Sequence, residues 1–133
     1  MHLPDVQAHA ALEALWRSGG VVYPGLSTTV PDDHCTPGSV TEVAAASYQR
    51  AALSTDATSF AAAVDRAIQT IVDTTWPAPA EDWGVALAIP LFDTATKGTG
   101  TAVGAVELST GVNILAGGSA PKAFAGTIRF QAP

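Results

Sequence analysis

The sequence is short of the residues from which most sites are built. One cysteine in 133 residues excludes an intramolecular disulfide framework and a multi-cysteine zinc cage. Charged residues make up 14% of the chain, against roughly 25% in an average soluble domain. No run of lysine or arginine occurs, and twelve acids against six bases leave a net charge of -6. Phosphate backbones are held by clustered bases, so a nucleic-acid partner is not expected. No segment reaches the roughly eighteen consecutive apolar residues of a membrane span. The N-terminus also lacks the basic start and apolar stretch of a signal peptide, so the chain reads as soluble and unprocessed, with no membrane partner.

What is abundant is small and apolar. Hydrophobic residues account for 47%, and the surface they leave is covered by Ala, Thr, Ser and Gly. Free-standing domains carry more charge for solubility, so this composition points to a protein that sits in an assembly. A chain of this length makes one domain, hiding roughly two-thirds of its unfolded surface.

The opening LPDVQAHAALEALWRSGG predicts a short helix. Asp5 after Pro4 can cap it, and Gly19 and Gly20 can stop it. Ala8, Leu12, Leu15 and Trp16 recur at spacings of three and four and define an apolar face. Beyond the glycines the texture changes to short apolar runs closed by turn residues: VVYPGLS, VTEVAAASYQRAAL, AIQTIVDTTW, WGVALAIPLF, TAVGAVELS, GVNILA and FAGTIRF. Seven such runs predict a mainly β chain, a β-sandwich of jelly-roll type. The organisation expected is a helical segment over 1–20 and a β-sandwich domain over 21–133. In FAGTIRF, Phe124, Gly126, Ile128 and Phe130 alternate with Thr127 and Arg129, as in a half-buried strand. Residues 59–72 carry both periods, so a helical or irregular start and a strand from about Ala67 are expected. Pro90 lies inside the most apolar run, which predicts an edge, a bulge or a break there.

Three stretches resemble sites. In VPDDHCTPG, Asp32, Asp33, His34 and Cys35 are adjacent. Neighbours in extended chain point to opposite sides, and the other histidines, His2 and His9, supply no HxxxH spacing. The reading is a polar turn, with no metal bound. Ser27 with His34 and Asp33 would be a hydrolase trio, but PGLST is not a GxSxG elbow. In WPAPAEDWG, Glu81 and Asp82 stand between Trp76 and Trp83, and acids beside aromatic rings are what sugar sites use. The same tryptophans could instead plug the end of a sandwich. TKGTGTAVG and LAGGSAP match no phosphate-cradling pattern and read as turns. No catalytic residue and no cofactor is expected.

The order of these signals resembles a known family. VYPGLSTTVPDD, then VTEVAAASYQRAAL, WGVALAIPLFDTATKG, TAVGAVELS, GVNILAGGSAPKAF and AGTIRF together look like small tailed-bacteriophage virion proteins, labelled tail fibre proteins and in some virions resembling capsid decoration or cement proteins. The resemblance spans residues 21–130. It implies a jelly-roll sandwich without catalytic machinery, made in the host cytoplasm and bound to other virion proteins in many symmetric copies. The first expectation is a decoration protein on the capsid exterior, binding the major capsid protein and copies of itself as a dimer or trimer. The alternative is a tail or fibre component touching the host, with Trp76, Glu81, Asp82 and Trp83 as a carbohydrate loop. A chain of 133 residues leaves no room for a long fibre shaft, which favours decoration. For contact with a partner, the helix face with Leu12, Leu15 and Trp16 is the candidate, and packing on its own domain is the competing use.

Overall fold

The computed structural model describes residues 5–131. The expected side-chain cap from Asp5 after Pro4, like His2, lies outside the described residues. The chain is mainly β, with one N-terminal helix and antiparallel sheets. Helix α1 (Asp5–Trp16) ends where expected: Gly19 and Gly20 have φ of 97° and 125°, a region that favours glycine. Their backbone then ties to Thr55, with Gly19 N–H donating to its carbonyl and Gly20 O accepting its N–H. Ala8, Leu12 and Trp16 are buried, one narrow stripe at four-residue spacing, whereas Leu15 is 65% exposed. The predicted face is therefore narrower than expected, and Leu15 does not share it.

Strands β1 (Val21–Pro24), β2 (Leu53–Ser54), β5 (Gly84–Phe92) and β6 (Ala102–Ile114) form a four-stranded sheet in the order β2-β1-β5-β6. Strands β3 (Ala67–Gln69) and β8 (Arg129–Gln131) pair, as do β4 (Thr74–Thr75) and β7 (Lys122–Ala123). These two ribbons belong to one pair of segments. Between them Thr70 N–H donates to Ile128 O, and Thr70 O accepts Gly126 N–H. A third segment joins through the Phe60–Thr70 and Val64–Ala67 bridges. Asp65 and Arg66 between the latter pair have φ of 51° and 63°, the two positive angles of a type I′ hairpin turn. The strand from Ala67 is thus as expected. Alanine-rich composition loses to the burial of Phe60, Ile68 and Thr70 at alternating positions. Trp16 stacks on Phe130 with centroids 4.4 Å apart and tilts against Phe60 at 5.7 Å, so α1 closes the same core that the sheets enclose.

Several expected strands differ. VTEVAAASYQRAAL is irregular up to Leu53, apart from a bridge at Glu42. Its carbonyls at Ala45, Ala46 and Tyr48 are taken by the Lys97 ammonium instead of a ladder. TAVGAVELS and GVNILA are one strand, β6, bent where residues 108–111 stand opposite Leu87 alone. FAGTIRF is broken by Gly126 at φ 88°, which turns Phe124 outward to 67% exposure while Ile128 stays buried. Pro90 lies in β5, an internal strand, not at a sheet edge. Its carbonyl accepts Gly25 N–H, just past the end of β1, so its missing donor falls where the β1 ladder stops. The break is in the pairing and not in the strand: β5 runs on through Pro90, and contact with the β1 segment resumes at the Ser27–Ala88 bridge.

Candidate functional site

The Asp32–Cys35 stretch is a turn built by its own side chains. Asp32 Oδ1 accepts the amides of Thr36 at 2.9 Å and His34 at 3.1 Å, while Ser39 Oγ accepts the Asp32 amide and donates to Thr36 O. The Thr36 amide, ahead of the other donors, holds the Asp32 carboxyl below the usual carboxylate range. Burial, then the charge of Asp32, push the Cys35 thiol up. That is the opposite of an activated cysteine. Among the described residues no three metal-ligating side chains gather. Ser27 is buried, and its hydroxyl donates to Thr29 O and accepts the Thr41 amide.

The tryptophan loop is also occupied from within. Trp76 and Trp83 are 3% and 5% exposed, which leaves no ring face on which a sugar could stack. Trp76 Nε1 donates to Pro24 O at 3.0 Å, and Trp83 Nε1 to Ser47 Oγ at 2.9 Å. Glu81 accepts the Ser47 amide, and Asp82 accepts the Ala116 amide 34 positions away. The Ser47 amide is also what holds the Glu81 carboxyl low. All four residues lie in one loop, but the acids staple neighbouring loops and the rings enter the core.

The densest cluster of polar chemistry was not expected. Glu42 and Arg50 pair in two-pronged fashion, Nε to Oε2 at 2.7 Å and Nη2 to Oε1 at 2.8 Å. Arg50 further donates to Thr94 O, Thr94 Oγ1 and Thr99 O, and its guanidinium lies 3.5 Å from the centre of the Phe92 ring. An arginine has five N–H donors, and each has a partner. Glu42 also accepts the Tyr48 hydroxyl and the Gly98 amide. Burial works to raise the Glu42 carboxyl, but Arg50, Gly98 and Tyr48 outweigh it and leave it below its usual range. Tyr48 is pushed up, by burial first and then by Glu42. A side chain at Gly25 would come within 2.7 Å of the Tyr48 hydroxyl and 2.8 Å of Phe92, so only glycine fits there. The cluster pins the segment before β2 to the β5–β6 turn. It has no donor left for a ligand. Its sequence signal was two opposite charges in an otherwise apolar stretch, VTEVAAASYQRAAL, because a buried arginine requires an acid.

Outward, the described residues present Val6, Leu15, Val103, Val112, Leu115 and Phe124 as exposed apolar side chains, together with the unpaired rim of β6. No helix among them is long and apolar enough to cross a membrane. The domain is thus mainly β, with its polar clusters engaged internally and part of its apolar side chains exposed. Residues 5–131 match the family described as Podophage GP4 fiber I protein gp80, and the chain belongs to that family of tailed-phage virion proteins. Comparison with curated proteins gave no match, and comparison with solved structures gave none.

Proposed function

We propose that the chain is a non-catalytic structural component of a podophage fibre, which works by binding other virion proteins and copies of itself and needs no cofactor. The observation that carries this reading is the fibre-family match over residues 5–131. The internal use of Arg50, Glu42, Asp32, Glu81 and Asp82 supports it, since these groups organise loops instead of facing a substrate. Exposed apolar side chains on a low-charge surface suit protein contacts. Of the expected partner residues, Leu15 is available for such a contact, whereas Leu12 and Trp16 support the domain from within. Host contact, on this reading, does not run through Trp76 and Trp83.

The second reading is a decoration protein on the capsid exterior that binds the major capsid protein. Its support is the net charge of -6, which suits the outside of a DNA-filled shell. In either case we take the fold as a sandwich of jelly-roll type. The four-stranded sheet would be one layer and the segments around β3, β4, β7 and β8 the other, since Ile68, Ala123 and Ile128 enter the same core as Leu26 and Ile89.

Particles made without the chain test the choice. The fibre reading expects heads that resist heat and adsorb poorly to cells. Particles that adsorb normally but release DNA at lower temperature would overturn it in favour of decoration.

A further inference from the structure

The rim of β6 is a row of unused backbone hydrogen-bonding groups. Antiparallel neighbours either exchange both hydrogen bonds or face away from each other. Pro90 and Ala88 turn their carbonyls toward the β1 side, where they accept the amides of Gly25 and Ser27. Their partners across the ladder are Ala105 and Glu107. These two therefore point their N–H and C=O groups away from β5, and no other strand of the described residues pairs with β6. Natural edge strands are blunted by lysine, proline, shortness or a bulge. Along residues 104–107, between the irregularity at Val103 and the bulge at 108–111, there is no lysine and no proline.

This rim opens into a cleft of about 430 Å³ whose far wall is the loop of residues 30–35. The lining takes Gly104, opposite Leu91, from one face of β6 and Ala102, Ala105 and Glu107, opposite Phe92, Pro90 and Ala88, from the other. Only a cleft running along the strand's edge touches both. Its length, six residues of strand, is about 17–20 Å. Its charged lining is Asp32, Asp33 and Glu107, with no lysine or arginine.

We propose that this cleft receives an extended, lysine- or arginine-bearing segment of a partner protein, which adds to β6 as a further antiparallel strand. Strand addition takes affinity from main-chain hydrogen bonds and specificity from alternate side chains. Here the outward groups of Ala105 and Glu107 supply the former, and the carboxylates of Asp33 and Glu107 select bases for the latter. A second copy of this chain is a poor occupant. It carries a net charge of -6, and its six bases, Arg17, Arg50, Arg66, Lys97, Lys122 and Arg129, nowhere alternate along an extended segment. The proposal deepens the assembly reading and rests on it only in taking the partner to be another virion protein.

The test uses the full chain and an acetylated, amidated peptide of alternating lysine and valine, followed by amide NMR and hydrogen exchange. The amides of Ala105 and Glu107 are expected to shift and to become protected. A glutamate-valine counterpart should bind at least tenfold more weakly, and added salt should weaken the lysine peptide. Ala105→Pro removes one outward donor without touching the β5 ladder, and it should abolish protection while leaving the thermal transition in place. If that variant does not fold, Glu107→Lys provides the second readout, with at least a fivefold loss expected. Unchanged rim amides, or equal binding by a folded A105P, would overturn the proposal. So would concentration-dependent self-association that A105P abolishes, because it would assign the rim to a second copy. Absence of the chain from particles, with the rim still taking the peptide, would sink the assembly reading alone.

Discussion

Replacing Arg50 by methionine should be the most damaging single change in the loops. The substitution keeps an unbranched apolar stem but removes a guanidinium whose side chain is 1% exposed and faces Glu42 at 2.7 Å. It leaves the largely enclosed Glu42 carboxylate without its cation, and it frees the carbonyls of Thr94 and Thr99. Breaking a buried pair from one side costs about 3–5 kcal/mol, because the surviving charge is left desolvated and unpaired. Domains are stable by about 5–15 kcal/mol, so R50M should lose roughly a fifth or more of the total. Urea denaturation followed by tryptophan fluorescence would report this as a lowered midpoint with an unchanged slope. Adding Glu42→Gln should recover part of the loss, since it removes the stranded charge. A loss below about 1 kcal/mol, typical of an exposed ion pair, would refute the view that this cluster holds the loops.

Trp16→Ala should cost about 3–5 kcal/mol, because the ring stacks on Phe130 and touches Phe60; a fully stable variant would return that face to a partner. Leu15→Ala, at a 65% exposed position, should leave the isolated domain within about 0.5 kcal/mol, as read by melting temperature. Gly25→Ala should cost about 1–3 kcal/mol by overpacking, with Tyr48 and Phe92 as the displaced groups. Glu42 has a folded pKa below its ordinary 4.5, so its contribution is present above that value and lost as pH falls through the folded one. Acid should therefore destabilise the wild type more than Glu42→Gln, which a urea series from pH 6 down to about pH 3 would reveal.

The parts of the fold that local chemistry decides were legible. Gly19 and Gly20 ended the helix, β5 followed its apolar run, and the strand at Ala67 began where β-branched residues crowd. The polar turn at Asp32 was also legible, because adjacent acids and prolines define it without help from elsewhere. What escaped was decided over long range. Nothing local says that Lys97 will take the carbonyls of Ala45, Ala46 and Tyr48 and so keep that segment out of a sheet. The alternation in FAGTIRF misled because Gly126 fits both a strand and a turn, and the Gly126 amide went to Thr70. Trp76 and Trp83 looked like ligand residues because sequence gives ring and acid but not the direction in which each points.

The central claim is that this chain is a fibre component of a virion, and a reconstruction of the particle tests it most directly. Density fitting the four-stranded sheet and α1 is expected in a small, symmetric number of copies around the tail, with a neighbouring strand along residues 104–107. Hundreds of copies spread over the capsid shell would contradict it, as would particles that contain none.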